Sequence, residues 1–395
     1  MIPGKTYDCK VIVFTVEAPP SMSGSGRNAY LFSKQLSDLT SQTTFCHLNY
    51  NRKSESGSTD EKLIIRRLAY YNRNLITKIV SFPSLLFYYL KFILKNDLII
   101  IYSGYLIGYQ FIILCSFVFR RKIIFRSTLI NGDDAKSLLS KGFLLKQLNK
   151  LALNKLTFYY SINAEFTERF VAETKDRIPV FESFQGVNIH KFHPVTEDYK
   201  RKVRIFLGYK NEEIIILSVG NLVKRKSYHL IFPELAKLNI AFKYIVAGEY
   251  ILNGNHRITK DEKIEMSELF LLGQSLLGEK IVFTGPVANI QDYFLSADIF
   301  LHGSTSEGTP NALLEAMACG IPSLVSKLPG ISGLLTQHRV NSIEFENYDE
   351  LSSLIKNMLA NSKMMKGISV NAAKTISEKY TFEIVAANFL KTIYG

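Results

Sequence analysis

Short apolar runs alternate along this chain with longer stretches in which apolar positions recur every three or four residues. Val11–Thr15, Gln42–Leu48, Leu98–Tyr102, Lys122–Arg126 and Phe158–Ile162 predict strands, with helices between them, as over Asn28–Leu39 and Lys141–Leu156. The second half repeats the pattern with strands at Ile214–Val219, Lys243–Ala247, Ile281–Thr284, Ala297–Leu301 and Ser323–Ser326, and the chain ends in a helical pattern. Strands that alternate with helices predict α/β architecture with parallel, doubly wound sheets. Residues 52–60 are polar and Gly/Ser-rich, which predicts a loop. The stretch 184–204 is polar and irregular, and the domain boundary is placed there, between residues 195 and 196.

The segment Ser304–Gly320 (STSEGTPNALLEAMACG) carries the most chemistry. It lies between two predicted strands and reads as a tight turn followed by a helix, so the turn falls at the carboxyl end of a strand, where open α/β sheets bind ligands. Thr309 is the expected N-cap and Pro310 the first helical residue. Backbone N–H groups of Gly308, Thr309, Asn311 and Ala312, with the helix dipole behind them, would suit a phosphate. Glu307 in the same turn would repel phosphate and suits sugar hydroxyls, whereas Glu315, eight residues on, suits a ribose diol. The plainer reading has Glu307 favouring the helix dipole and Glu315 as a solvated helix residue, but Glu315 has apolar neighbours on both sides.

A second strand end reads SVGNLVKRKSYHLI over Ser218–Ile231. Lys224, Arg225 and Lys226 there would neutralise a leaving diphosphate, whose charge grows as the sugar bond breaks. Near the amino terminus PPSMSGSGRN places Gly24 and Gly26 in a loop where backbone can approach a ligand closely. No metal site is expected, because Asp133-Asp134 is a bare pair and His190 and His193 lack a third ligand.

The run EGTPNALLEAMACGIPSLVS resembles the glutamate–seven residues–glutamate signature of the retaining glycosyltransferases of family 4. That resemblance implies the GT-B fold, two Rossmann-like domains facing each other across a cleft. It implies an acceptor-binding domain over 1–195, a nucleotide-sugar-binding domain over 196–375, and a helix over 376–395 that crosses back to the first domain. It further implies a nucleotide-diphosphate sugar as donor, retention of anomeric configuration, and no cofactor or required metal. In this reading Lys226 stabilises the leaving diphosphate, Glu307 holds sugar hydroxyls, Glu315 holds the ribose, and backbone near Val287 (IVFTGPV, Ile281–Val287) touches the base.

The chain departs from the family pattern at several positions. Asn221 stands where an arginine is usual, with Arg225 as a candidate replacement, and Gly333 stands where a glutamate is common. No histidine follows Lys122–Arg126; Asp133 and Asp134 follow instead, either as acceptor contact and base or as a capped turn before the next helix. Other GT-B enzymes (an inverting transferase, an epimerase) and a catalytically inactive partner subunit are the alternatives.

Composition bears on where such a protein would work. At 395 residues and 47% apolar the chain is long enough for two folded domains. The four cysteines are scattered, as buried reduced thiols of a cytosolic protein would be, and no secretory leader is read at the start. Of the net +13, nearly all lies in the first 200 residues, which hold 27 Lys and Arg against 16 Asp and Glu. The basic residues Arg66, Arg67, Arg73, Lys78, Lys91 and Lys95 interleave with apolar and aromatic runs, which suits an anionic membrane surface, the bland alternative being a solvated basic face. Nucleic acid is not expected as a partner. The uncharged stretch Leu98–Phe119 could span a bilayer by length, but its Ser and Gly residues divide it into strand, turn and helix. The expectation is a cytoplasmic protein, peripheral on the inner face of the cell membrane, acting on a glycan or lipid-linked glycan in bacterial cell-surface polysaccharide synthesis (capsule or lipopolysaccharide).

Overall fold

The computed structural model describes residues 6–16, 24–50, 55–58, 62–70, 75–250 and 260–395. The chain divides into two compact units, Met1–Gly186 with Phe382–Gly395, and Val187–Thr381. The final helix, Phe382–Tyr394, therefore belongs to the first unit, where Phe389 packs on Phe32, Tyr160 and Phe181.

The first unit holds eight strands: β1 (Tyr7–Thr15), β2 (Thr40–Tyr50), β3 (Glu55–Ser58), β4 (Leu63–Tyr70), β5 (Leu98–Tyr102), β6 (Lys122–Arg126), β7 (Phe158–Ser161) and β8 (Val180–Glu182). They lie in the order β3-β4-β2-β1-β5-β6-β7-β8, all parallel except β3, which pairs antiparallel with β4. Val13 faces Phe45 on one side and Ile100 on the other. Central parallel strands are covered on both faces, so they read as unbroken apolar runs, and LIIIY of β5 is buried throughout. The chain steps outward from β1 to β4, then returns to β5 and continues the other way. Right-handed crossovers place the helices of the two directions on opposite faces. Accordingly helix Gly24–Leu39 packs with the final helix, whereas helix Leu75–Lys95 packs on helix Tyr109–Val118, which packs on helix Phe143–Leu153.

Several expectations are corrected here. The polar segment 52–60 contains strand β3; its other residues lie outside the described ones. LIIRRLAY forms β4, hidden from a pattern reading because Arg66 and Arg67 interrupt it. Gly24 and Gly26 stand in the first turn of helix Gly24–Leu39, not in a loop; the loop before them lies outside the described residues. The second half of 184–204 is helix Glu197–Phe206, N-capped by Thr196. The stretch Leu98–Phe119 is strand, turn and helix, as its Ser and Gly residues predicted. One described helix, Ile76–Lys95, is long and apolar enough to cross a membrane, with 22% of it buried.

The second unit is a six-stranded parallel sheet of β9 (Ile214–Val219), β10 (Phe242–Ala247), β11 (Ile281–Gly285), β12 (Ile299–His302), β13 (Ser323–Ser326) and β14 (Ile343–Phe345). Its order is β11-β10-β9-β12-β13-β14. The chain runs outward from β9 to β11 and restarts at β12 on the other side of β9. The loops leaving β9 and β12 therefore diverge at the carboxyl edge and open the crevice where such sheets take ligands.

Candidate active site

The two loops at that reversal point meet in a cluster of charges. After β9 the chain turns at Gly220 (φ +145°), passes Asn221 and forms a single 3-10 turn, Lys224–Lys226. Glycine is required at the turn, because a Cβ on Gly248 (φ +155°) would stand 2.3 Å from the Gly220 carbonyl oxygen and one on Gly220 would stand 3.0 Å from Lys226 Cε. After β12 the chain passes His302, Gly303 and Ser304 to Glu307. The carbonyls of this loop are held by Tyr348 Oη on Gly303 (2.7 Å) and Ser326 Oγ on Ser304 (2.5 Å). The Thr305 N–H donates to the Arg225 carbonyl at 2.8 Å, tying the loops together.

Three donors converge on Glu307 Oε1: Lys226 Nζ at 2.5 Å, Ser304 Oγ at 2.6 Å and Arg225 Nη1 at 3.1 Å. The Lys226 and Glu307 side chains are only 12% and 10% exposed. Burial alone would raise the Glu307 pKa, but the Lys226 and Arg225 charges override it and bring it to about 2. Burial lowers the Lys226 pKa and Arg225 lowers it further, against the pull of Glu307. His302 Nε2 stands 3.7 Å from Glu307 Oε1. Burial, followed by the Lys226 charge, depresses the His302 pKa to about 3, so at neutral pH the imidazole is uncharged. Two cations and one carboxylate thus leave a net single positive charge at the crevice, an arrangement suited to an anion.

His302 was missed at the sequence level, since a lone histidine ending an apolar strand carries no signal. Its protonation has a sign that can be tested. A base whose folded pKa lies below its unfolded value of about 6.5 costs stability as pH falls between the two, because only the unfolded chain takes the proton. Stability should therefore fall by about 1.4 kcal/mol per pH unit from pH 6.5 downward. Glu307, with its lowered pKa, adds its own loss below about 4.5. Denaturant titrations of His302→Gln should show the first slope removed and the second retained; an unchanged slope between pH 6.5 and 5 would refute the assignment.

The helix Asn311–Ala318 begins beside this cluster. Pro310, not Thr309, is its N-cap residue, and no side chain caps it. The Asn311 N–H already donates to the Thr309 carbonyl at 2.9 Å, so it is not the open donor that was expected. Thr309 Oγ1 and His302 Nε2 are both buried without a hydrogen-bond partner among the described residues. Asn311 and Glu315, one turn apart, share the half-exposed side of the helix while Leu313, Leu314, Ala316 and Met317 are buried. Gly308 is buried between Glu307 and the helix. Val287 follows β11 at the same carboxyl edge and is half-buried. Asn221 is exposed, and its Oδ1 accepts from the Glu249 N–H at 3.3 Å. Gly333 adopts φ +82°, a backbone region that glutamate rarely enters.

Gly24, Gly26 and Asp133 belong to the other unit. Asp133 is fully buried. Its Oδ1 accepts from the N–H groups of Thr128 (2.8 Å) and Leu129 (2.7 Å), and its Oδ2 from Gly104 N–H (2.8 Å), Thr128 Oγ1 (3.0 Å) and Ser103 Oγ (3.2 Å). A carboxylate with five donors and no exposure has no lone pair to offer a substrate, so the catalytic reading of Asp133 is corrected: it clamps the loop after β5 to the loop after β6. Asp134 caps helix Ala135–Leu139 through Ser137, the capped-turn alternative. Asp133→Ala should cost about 3 kcal/mol or more, since it strands three backbone N–H groups. Turnover per folded molecule should stay within about tenfold, whereas loss of a general base would cost about 100-fold or more. Denaturant melts and kinetics on the same preparation separate the two.

Residues 200–375 match the family described as Glycosyl transferases group 1. The chain is 26% identical over 284 residues to N,N'-diacetylbacillosaminyl-diphospho-undecaprenol alpha-1,3-N-acetylgalactosaminyltransferase of Campylobacter jejuni, covering 68% of this chain and 70% of that protein. It is 24% identical over 216 residues to alpha-monoglucosyldiacylglycerol synthase of Streptococcus pneumoniae, covering 53% of this chain but only 44% of that protein. Among solved structures, Anabaena HepE in complex with UDP superposes with a TM-score of 0.76 at 16% identity, over 97% of this chain and 99% of that one. The fold is GT-B. The match to the glycosyl transferases group 1 model spans somewhat less than half of the chain, and the Lys226–Glu307 cluster lies inside the matched residues.

Proposed function

We propose that this protein transfers a hexosyl group from a nucleotide-diphosphate sugar to a lipid-linked saccharide, with retention of anomeric configuration, in bacterial cell-surface polysaccharide synthesis at the inner face of the cell membrane. The observation that carries the reading is the buried Lys226–Glu307 pair, with Arg225, at the reversal point of the second unit's sheet. The two cations would receive the diphosphate and stabilise the charge that develops on it as the glycosidic bond breaks. Glu307 would keep both cations in place and offer its carboxylate to sugar hydroxyls. Glu315 would take the ribose, Gly308 and Thr309 ahead of helix Asn311–Ala318 would face phosphate, and the chain near Val287 would take the base. Thr309 Oγ1 and His302 Nε2 are polar atoms for a ligand to satisfy. A lipid acceptor fits the names of the two relatives, one a diphospho-undecaprenol enzyme and the other a diacylglycerol glycolipid synthase. UDP in the HepE complex makes a uridine donor the first to try.

A thermal-shift screen with UDP-, GDP-, ADP- and CMP-sugars tests this. A ligand at 100 times its dissociation constant adds about 2.7 kcal/mol to native stability, so one nucleotide should stand out. With that donor, the anomeric coupling of the product, read by NMR, reports retention or inversion. Lys226 and Arg225 supply the neutralising charge in this reading, so turnover should survive EDTA; loss of turnover there, restored by a divalent ion, would sink that part.

A further inference from the structure

The first unit contains a cavity of about 840 Å³. It lies between helix Leu75–Lys95 and strands β2 and β4. Its walls include Lys10, Arg66, Lys91 and Lys95, with Arg67 beside them, and no carboxylate among the described residues. None of these four makes an ion pair with a described carboxylate. Asp97, next in sequence to the wall residue Asn96, is engaged by Arg121 Nη1 at 3.1 Å and by the Lys10 N–H at 3.0 Å. Lys91, Lys95 and Asn96 stand where the helix ends ahead of β5, and Lys10 lies in the first half of β1. The cavity therefore sits toward the amino ends of the strands, the opposite edge from that on which open α/β sheets take their substrates.

The helix that walls the cavity has two distinct sides. Leu85, Tyr89 and Ile93, four residues apart, are buried against the sheet and against helix Tyr109–Val118. Val80, Phe87 and Leu94, seven apart, share the outer side with Ile76 and Ile79, and they are between 46% and 72% exposed. Tyr88, Lys91, Phe92 and Lys95 project between these sides, into the cavity, and Leu94 belongs both to the exposed stripe and to the cavity wall. The exposed apolar surface continues along the row of helices, at Phe117 and Val118 and then at Phe143 and Leu144. Water is a poor solvent for such a stripe. A nucleic acid would use the cations but not the aliphatic side chains, whereas a lipid bilayer uses both.

We propose that this cavity is a binding site for the phosphate-bearing headgroup of an anionic membrane lipid, with the Ile76–Leu94 stripe seated among the acyl chains. The inference rests on the membrane-face reading above and narrows it to one set of side chains. Lys10, Arg66, Lys91 and Lys95 would surround the phosphate, and Tyr88 and Phe92 would line the boundary between headgroup and acyl region, where aromatic rings concentrate.

The test is co-sedimentation of the full chain with phosphatidylcholine vesicles, with and without phosphatidylglycerol. Wild type should partition onto the anionic vesicles. Arg66→Gln/Lys91→Gln/Lys95→Gln should weaken that partition on the order of 100-fold, since each cation near the surface contributes about a factor of five. The equally discharged control Lys363→Gln/Lys366→Gln/Lys374→Gln, in the second unit, should weaken it less than about threefold. Phe87→Asp should weaken partition without changing the cavity. Equal losses in the two triple variants would overturn the cavity site while leaving membrane association standing. Failure of wild type to bind anionic vesicles would sink both. A thermal shift with soluble pyrophosphate that the Arg66/Lys91/Lys95 variant loses, with no difference on vesicles, would mean a free phosphate compound and would overturn the lipid headgroup.

Discussion

Lys226→Ala lowers turnover by about a thousand-fold, the largest single effect expected at this site. The figure is that of removing one preorganised donor from the point where charge develops in a transition state. Lys226 meets that description by position: it is largely buried, its ammonium is held 2.5 Å from Glu307, and the second cation there, Arg225, is half-exposed and screened by water. Arg225→Ala should therefore cost less, about tenfold, and act mainly on donor binding. The loss at Lys226 should fall on kcat and on kcat/KM alike, the signature of an interaction made in the transition state. Lys226→Arg should recover part of it, because charge is kept while geometry is not. Kinetics must be normalised to folded protein, since the alanine variant leaves the Glu307 carboxylate buried with only one cation. Turnover within tenfold of wild type in folded Lys226→Ala would remove the leaving-group role.

How much of this site was legible in the sequence follows from what each signal depends on. Lys226 and Glu307 stood out because each follows an apolar strand in a Gly-bearing turn, and parallel topology brings the carboxyl ends of all strands to one edge. Their mutual distance was not legible: the residues are 81 apart, and only the order in which β9 and β12 pair makes them neighbours. Arg225 on Glu307 and the uncharged His302 are likewise products of that pairing. Thr309 looked like an N-cap because capping residues have strong local preferences, yet Pro310 took the position and left the Thr309 hydroxyl without a partner among the described residues. Asp133 misled for the opposite reason. A carboxylate in a Gly-Asp-Asp turn reads the same whether it faces substrate or five donors, and those donors come from two loops about 5 and 30 residues away. In the first unit β5 was legible because a doubly covered parallel strand is apolar at every position. Strand β4 was not, because it lies beside the edge strand β3 and carries two arginines, both of which wall the basic cavity.

The second large effect concerns stability, and it separates what the Lys226–Glu307 pair does for the fold from what it does for the reaction. Lys226→Met should destabilise the second unit by about 3 kcal/mol, because a carboxylate about nine-tenths buried loses its closest partner. Glu307→Met should cost at least as much, about 3–5 kcal/mol, since it leaves the buried ammonium facing Arg225 with no compensating charge. The double variant Lys226→Met/Glu307→Met removes both desolvation costs together, and it should return to within about 1 kcal/mol of wild type while remaining inactive. Denaturant unfolding of the four proteins gives the coupling energy directly, and a coupling above about 2 kcal/mol is expected. Additive losses would mean that the two side chains are independently solvated, contrary to their exposure and the 2.5 Å contact. A stable but inactive double variant would show that two apolar side chains serve this fold as well as the ion pair does. The charges at the crevice would then be held there for the ligand, and Glu307 would be what keeps a half-desolvated lysine ionised until a diphosphate arrives.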